Sequence, residues 1–313
     1  MVRLLKSSEV EDLLDLRGVM DCLADAFAQQ AQGQVQAWPP GMMRSGGAIF
    51  LLRAGGLSGE ARMGVRSTTG PHNPSFVTVY ETPTGRPLGI VSYPFSDLRL
   101  HASAALGIDH LAKPDAQRVA MIGSGRNALG LLQGASLVRS IADVRVYSPN
   151  PEHRAHLVAE VEAKLGLAAT ATASAREAVE DAEIIIVATS SNEPTVQGAW
   201  LRPDAHVTSI GSRMELDEDV YRRAELIVAN SKVHEWNVLE IEDAWPIVRL
   251  ARAGVLDWER VPELGQVIAG KIPRPTGISV YRDARGGFDD VALAVRAYER
   301  AVALGRGTDW DPE

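Results

Sequence analysis

The chain has little cysteine and fewer basic than acidic residues, and each of these two shortages excludes a class of protein. Cys22 is the one cysteine among 313 residues, which excludes a disulfide framework and predicts a reducing, cytoplasmic location. The 32 Lys and Arg residues are outnumbered by 40 Asp and Glu residues, and the resulting formal charge of -8 argues against nucleic acid as a partner. No apolar run is long enough to span a membrane. These absences indicate a soluble globular protein, and a length of 313 residues is sufficient for two domains.

Metal-ligating patterns are missing as well. The seven His residues show no HxxxH spacing, and Cys22 has no second cysteine with which to form CxxC, so we predict no metal site. Cys22 falls in an amphipathic helical pattern, which predicts a buried and inert thiol.

What the sequence does contain is a strand, a glycine turn and a helix in mid-chain. Arg118–Ile122 predicts the strand, residues 127–139 the helix, and Val144–Tyr147 a second strand, so that one βαβ unit closes within about 30 residues. In such a unit the glycines allow a tight turn and a close approach of backbone N–H groups to a pyrophosphate at the helix N-terminus. The predicted cofactor-binding residues of the turn are Gly123, Ser124, Gly125, Arg126, Asn127 and Ala128. The alternative is a glycine loop with only a structural role.

The end of the second predicted strand has no Asp or Glu to hydrogen-bond the 2′-OH of NAD. It offers Ser148, Asn150 and Arg154 instead, with Arg126 as a second cation, and this set favours NADP, with NAD possible. In the alternative interpretation Ser148 and Asn150 cap the next helix and Arg154 is only solvated. The two interpretations are compatible.

Predicted elements along the rest of the chain indicate two domains. Residues 35–93 contain β-rich runs with Gly and Pro turns, which predicts an antiparallel sheet. Beyond residue 115 strands alternate with helices, which predicts an α/β, doubly wound parallel Rossmann sheet with Thr189 and Gly211 at strand ends close to a nicotinamide. We expect a Rossmann dinucleotide-binding domain over 116–288 and a second, α+β substrate-binding and dimerisation domain over 1–115 with 289–313. The final helix, at about 289–304, is expected to return to the first domain.

Several blocks together resemble the ornithine cyclodeaminase/mu-crystallin family over nearly the whole chain. They are Arg62-Met-Gly-Val-Arg66, Thr84-Gly-Arg-Pro-Leu88, Asp97-Leu-Arg99 followed by Ala102, Ile122-Gly-Ser-Gly125, Ala188-Thr189, Glu263-Leu-Gly265 and Gly270-Lys271. The resemblance implies a homodimer that binds NAD or NADP and a small amino or imino acid, and that transfers hydride at the α carbon. It also implies that Arg66 and Arg99 clamp the substrate carboxylate.

Two departures from the family pattern bear on the chemistry. Arg66 stands where the family has Lys, and a guanidinium can bind a carboxylate but cannot shuttle a proton. The family's catalytic Asp after Gly211 is absent, so His72, His101 and Glu215 are the candidates for proton transfer, with His101 first. Arg44 could replace an early family Arg.

Two kinds of function follow from the resemblance. The first is an NAD(P)-dependent enzyme, either a cyclodeaminase-like lyase or a cyclic ketimine reductase, and the departures weaken the cyclodeaminase version. The second is an NADPH-loaded binding protein whose catalysis is weak or lost, because a fold alone does not guarantee its chemistry.

Overall fold

The computed structural model of the protein describes residues 1–69, 74–211, 214–239, 245–283 and 286–311, with side chains described throughout except at 236–239. Contacts within the chain divide it into two compact units. Unit 1 consists of Met1–Ala102, Val233–Asn237 and Arg285–Glu313, and unit 2 consists of Ser103–Lys232 and Val238–Ala284. The division falls at residues 102 and 103, some way before the border at 115 that the sequence suggests.

Strands and helices occur in the following order in the described residues. The strands are β1 Val2–Leu5, β2 Val35–Ala37, β3 Gly41–Ser45, β4 Ala48–Leu57, β5 Arg62–Thr69, β6 Phe76–Glu81, β7 Pro87–Ser92, β8 Arg118–Ile122, β9 Asp143–Tyr147, β10 Ala169–Ala171, β11 Ile184–Val187, β12 His206–Ser209, β13 Leu226–Ala229, β14 Ser279–Arg282 and β15 Thr308–Trp310. The helices are α1 Ser7–Val10, α2 Leu16–Ala31, α3 Ser96–Leu111, α4 Ala128–Val138, α5 Pro151–Leu165, α6 Ala175–Val179, α7 Glu218–Arg223, α8 Lys232–Leu239, α9 Pro246–Arg252, α10 Leu264–Ile268 and α11 Phe288–Ala303.

Unit 1 is built on one mixed sheet with the strand order β15-β1-β7-β6-β5-β4-β2, and β3 also pairs with β4. The pairs among β2 to β7 are antiparallel, as the β-rich runs with Gly and Pro turns predict, and β1 joins β7 in parallel. On β6, Val77 and Val79 are fully buried while Phe76 is exposed. This alternation shows that one face of the sheet is covered and the other faces outwards.

The covering element is α11, which belongs to unit 1 and packs against β4 to β7 and α2. Its approach to the sheet is close because two opposed glycines, Gly55 of β4 and Gly64 of β5, lie beneath it. A Cβ at Gly55 would lie 2.4 Å from the Cα of Phe288, and one at Gly64 would lie 3.2 Å from a methyl group of Val291. The start of α11 therefore lies directly on these two strands.

Unit 2 is built on a seven-stranded sheet in the order β10-β9-β8-β11-β12-β14-β13, and every pair in it is parallel. The four residues of β11 are all fully buried, so both faces of the sheet are covered and the strand is a continuous apolar run. The predicted doubly wound α/β fold is confirmed. The sequence interpretation missed β14, which is inserted between β12 and β13.

Candidate functional site

The glycine turn begins where β8 ends. Gly123 has a φ of 109°, and a Cβ at this position would lie 2.5 Å from the carbonyl oxygen of Ala188. Its N–H donates to the carbonyl oxygen of Tyr147 at 2.8 Å, which ties the end of β8 to the end of β9. Only glycine satisfies both the positive φ and the close approach.

The rest of the turn leads into α4. A Cβ at Gly125 would meet no atom within 4 Å, so a ligand can approach the backbone there, and Ala128 is buried as the first residue of the helix. The side chain of Asn127 does not cap α4, which leaves first-turn N–H groups for a pyrophosphate. Ser124 and the exposed Arg126 lie within the same turn. The residues present fit the phosphates of a dinucleotide.

Ser148, Asn150 and Arg154, the three residues predicted to contact the ribose, have different roles at the end of β9. The Oδ1 atom of Asn150 accepts hydrogen bonds from two first-turn N–H groups of α5, at 2.8 and 3.2 Å, so Asn150 is a helix cap. Arg154 lies over the ring of Tyr147, with 5.4 Å from the guanidinium carbon to the ring centroid, and donates to the carbonyl oxygen of Ser148 at 3.0 Å. These contacts hold Arg154 at the end of β9, where its guanidinium group is placed to donate hydrogen bonds to a 2′-phosphate.

Glu215 joins the ends of β11 and β12. Its Oε2 accepts from the N–H and the hydroxyl of Thr189, both at 3.0 Å, and its Oε1 accepts from the hydroxyl of Ser209 at 2.6 Å and from the N–H of Gly211 at 3.0 Å. Arg282 also donates to Ser209. Burial raises the pKa of Glu215, although these hydrogen bonds and Arg282 oppose the shift.

This geometry gives Glu215 a different role from the predicted one. Its side chain is fully buried, and both of its oxygens are occupied by the chain itself. A Cβ at Gly211 would lie 2.3 Å from the carbonyl oxygen of Thr189 and 2.5 Å from Oε2 of Glu215. The structure favours Glu215 as a residue that positions Thr189 and Gly211 over one that exchanges protons with a substrate.

In unit 1, Arg66 is the centre of a buried network. Its Nη1 donates to both carboxylate oxygens of Asp290 at 3.1 Å, and its Nη2 donates to the hydroxyls of Ser75 at 3.0 Å and Ser96 at 2.6 Å. The ring of Tyr93 lies 4.5 Å from the guanidinium carbon, and its hydroxyl donates to Asp290 at 2.7 Å. Among the described residues, Nε of Arg66 has no hydrogen-bond partner.

Arg99 is the second predicted carboxylate clamp, and it is also buried. Its Nη1 donates to Asp289 at 2.7 Å, and its Nε lies 3.8 Å from a carboxylate oxygen of Asp290. His101 follows two positions later in α3 and is 8% exposed. Residues two apart on a helix do not face each other, so α3 directs His101 away from the side that carries Arg99.

A third arginine, Arg53, lies beside this network. Arg53 is half-buried on β4, in direct register with Arg66 on β5. We call Arg53, Arg66, Arg99, Asp289 and Asp290 the arginine cluster. The sequence interpretation did not select Arg53, Asp289 or Asp290, although the acidic pair in the first turn of the amphipathic final helix was a visible signal.

The pKa values within the arginine cluster are shifted by burial and by opposite charges. Burial disfavours the charged form of Arg66, but Asp290 outweighs it and raises the pKa of Arg66. Burial alone would raise the pKa of Asp290, but Arg66, Arg99 and Arg53 lower it below its usual value. Burial and Asp290 raise the pKa of Tyr93 well above its ordinary range, so its phenol stays neutral. Within the cluster Arg66 and Arg99 form buried ion pairs with Asp290 and Asp289, and the neutral hydroxyl of Tyr93 donates to Asp290.

The other candidate residues lie apart from these two groups. Arg44 is exposed on β3, and His72 lies outside the described residues. Cys22 is buried in α2, where burial raises the pKa of its thiol to about 12, so it carries no thiolate near neutral pH.

The described part of the chain offers neither a metal site nor a membrane span. Its His, Cys, Asp and Glu side chains form no group of three or more that could hold a metal ion. None of its helices combines the length and the apolar character that are needed to cross a bilayer.

The fold and the glycine turn define an α/β protein of the dinucleotide-binding type. The profile of the ornithine cyclodeaminase/mu-crystallin family matches residues 2–305, and the chain belongs to this family. The resemblance found in the sequence motifs is thereby confirmed.

Relatives of known structure or activity are similar over much of the chain. The chain is 28% identical to a Delta(1)-pyrroline-2-carboxylate reductase of Bacillus cereus over 229 residues, which cover 72% of this chain and 70% of that protein. It is 26% identical to the NAD(P)H-dependent anabolic L-arginine dehydrogenase of Pseudomonas aeruginosa, with 94% and 96% covered. The structure of the Thermococcus litoralis Delta(1)-pyrroline-2-carboxylate reductase in complex with NADH and L-proline matches with a TM-score of 0.86 at 27% identity, and the match covers 99% of this chain and 100% of that chain.

Proposed function

We propose that the protein is an NAD(P)H-dependent reductase of small imino acids that transfers hydride to the α carbon of its substrate. The observation that carries the proposal is the arginine cluster, a set of buried cations suited to a carboxylate, in a chain that also has a dinucleotide turn. The names of the pyrroline-carboxylate reductase and the arginine dehydrogenase describe the same class of chemistry, which supports the proposal.

Unit 2 would hold the dinucleotide. Gly123, Gly125 and the start of α4 would bind the pyrophosphate, with Thr189 and Gly211 at the neighbouring strand ends. Arg154 would bind a 2′-phosphate, so we propose NADP as the preferred cofactor and NAD as a second one. A bound reduced nicotinamide would supply the hydride.

Unit 1 would hold the substrate carboxylate on Arg66 and Arg99. The free Nε–H of Arg66 is a donor that a carboxylate oxygen could accept from. An arginine cannot take up or release a proton near neutral pH, so these residues bind and orient the substrate. An imino acid that arrives as an iminium ion needs no proton from the chain. This favours a reductase over a cyclodeaminase, which must also move protons on and off a second amine.

The test is the oxidation of NADPH and NADH by the purified protein with Δ1-pyrroline-2-carboxylate or with an α-keto acid plus ammonia. We expect saturable oxidation with one amine formed per dinucleotide consumed. Arg66→Ala should raise KM steeply, while Arg44→Ala, which removes an exposed arginine, should leave it unchanged.

Three outcomes would contradict the proposal. Fluorescence quenching of NADPH without turnover would indicate a binding protein. Formation of proline from ornithine with no net change in dinucleotide would indicate a cyclodeaminase. Unchanged kinetics in Arg66→Ala would remove Arg66 from the site.

We further propose that the protein is a homodimer that buries the outer face of the sheet in unit 1. Leu52, Met63 and Phe76 lie on that face of three adjacent strands and are 38%, 37% and 45% exposed, and an apolar patch of this kind is typical of an interface. Sedimentation equilibrium should give twice the mass of the chain, and Met63→Lys should give a monomer. A monomeric wild-type protein would refute the proposal.

A further inference from the structure

Two arginines of the arginine cluster face each other across neighbouring strands. Arg53 and Arg66 are directly opposed in the register of β4 and β5, so their side chains project from the same face of the sheet. It is the face covered by α11, because the opposed pair Gly55 and Gly64 lies two residues further along the same strands and contacts that helix. Like charges in direct opposition are destabilising unless an anion lies between them.

The two carboxylates of the arginine cluster already accept hydrogen bonds from its other two arginines. Asp290 accepts two hydrogen bonds from Arg66, and Asp289 accepts one from Arg99. The side chain of Arg53 has no hydrogen bond or ion pair with any described residue. The charges that act on it most strongly are those of the other four cluster members, at longer range, and burial lowers the pKa of Arg53. Arg53 is therefore a cation without a direct side-chain partner among the residues that the structure describes.

The charges of the cluster do not balance. Among the described residues of the cluster, three guanidinium groups, on Arg53, Arg66 and Arg99, oppose two carboxylates, on Asp289 and Asp290, which leaves one positive charge. Tyr93 does not alter the sum, because its phenol is neutral. A ligand with one net negative charge would neutralise the cluster, and burial makes an uncompensated charge costly.

This excess charge distinguishes between classes of imino acid. A monocarboxylic iminium acid has one negative and one positive charge, so it leaves the cluster at plus one. A substrate with a basic side chain would raise the total to plus two. A dicarboxylic iminium acid brings one net negative charge and reduces the total to zero.

We propose that Arg53 binds a second carboxylate of the substrate, and that the protein reduces a dicarboxylic imino acid. The inference rests on the proposed reductase function and names its substrate class. In the reaction, the C=N bond of the iminium ion becomes a single bond as hydride adds to the α carbon. The product is an amino dicarboxylic acid, and the reduced nicotinamide dinucleotide is oxidised.

The test compares imines formed in solution from ammonia and α-keto acids. Oxaloacetate and 2-oxoglutarate provide dicarboxylic imines, and pyruvate and 2-oxobutyrate provide monocarboxylic ones. For the wild type we expect a higher kcat/KM with the dicarboxylic imines. Arg53→Met keeps an unbranched apolar side chain and removes the charged guanidinium group. A hydrogen bond to a charged group contributes about 1.5–3 kcal/mol. We therefore expect Arg53→Met to lower kcat/KM for the dicarboxylic imines by about 10- to 100-fold, because KM rises. The value for the monocarboxylic imines should change little.

Two variants serve as controls. Arg53→Lys, which retains the charge, should recover most of the dicarboxylate preference. Arg44→Met, which removes an exposed arginine from β3, should behave as wild type. An equal loss for both imine classes in Arg53→Met would overturn the proposal, as would a wild-type preference for monocarboxylic or basic substrates.

A binding measurement separates this proposal from the reductase function. Thermal unfolding of the wild type without dinucleotide should shift upwards with malonate or succinate more than with acetate or propionate, and Arg53→Met should lose that difference. If this shift occurs while no imine is reduced, the reductase function fails and the anion site stands. If imines are reduced but Arg53→Met shows no selective loss, the anion site fails and the reductase function stands.

Discussion

Acidification should destabilise the protein through one buried histidine, His206 at the start of β12. The side chain is 1% exposed, and its two ring nitrogens lie 2.9 Å from the hydroxyl of Ser279 and 2.8 Å from that of Thr208. Burial, with a smaller contribution from Arg139, lowers the pKa of His206 to about 3, against about 6.5 in an unfolded chain. Between these two pH values the unfolded state binds one proton more than the folded state.

The sign and size of the effect follow from that difference. The stability contributed by the neutral ring is fully present above about pH 6.5 and is lost as the pH falls towards 3, at about 1.4 kcal/mol per pH unit. At pH 4.5 the loss is about 2.7 kcal/mol. This is a large share of the stability of a typical protein.

The assay is urea unfolding of the wild type and of His206→Gln between pH 4.5 and 7.5, followed by circular dichroism. Other titrating groups are the same in both proteins, so they cancel in the difference between the two free energies of unfolding. That difference should be flat above about pH 6.5 and should fall by about 2.7 kcal/mol down to pH 4.5. A flat difference for His206→Gln would refute the reasoning.

Three further predictions, made with four substitutions and one control variant, test the two candidate sites. Gly123→Ala should lower both Tm and NADPH affinity, because residue 123 has a positive φ and its new Cβ would lie too close to the carbonyl oxygen of Ala188. Gly125→Ala should weaken NADPH binding and leave Tm unchanged. Thermal unfolding measures the first effect and fluorescence titration with NADPH the second. Asp290→Asn should cost about 3–5 kcal/mol of stability, because it breaks the buried ion pair with Arg66. The control Asp25→Asn, which breaks the exposed pair with Arg296, should cost less than about 1 kcal/mol. Equal losses in urea unfolding would contradict this prediction. Glu215→Gln should lower stability by about 1–3 kcal/mol and leave the pH profile of kcat unchanged, and a shifted profile would restore Glu215 as a proton carrier.

Much of unit 2 could be predicted from sequence because its signals are local. Strand β8, the glycine turn and α4 follow one another without interruption, and the buried strands are short apolar runs. Strand β14 was missed because its Tyr, Arg and Ser residues do not form such a run. Its place between β12 and β13 depends on pairing with strands about 50 to 70 residues earlier in the chain.

The arginine cluster was harder to predict because it depends on strand register and on the final helix. The run beginning at Ala48 suggests a strand that ends at Leu52, since two glycines follow soon after. In the structure β4 continues through Arg53 to Leu57, because Gly55 is where α11 contacts the sheet. Arg66 and Arg99 could be found from motifs, but their carboxylate partners could not, because no local pattern links them to α11.

Unit 1 combines the first and the last segments of the chain, so it cannot be completed until translation is nearly finished. The contacts from Arg66 to Asp290 and from Arg99 to Asp289 span 224 and 190 residues, so the arginines emerge long before their carboxylates. Throughout that interval the face of the sheet that α11 will cover is open, and its cations are unpaired. The glycine turn and the neighbouring strand ends at Thr189 and Gly211, by contrast, all precede α11 in the chain. A nascent chain should therefore acquire the capacity to bind a dinucleotide before it can bind an acid, and translation arrested ahead of α11 would leave only the first capacity.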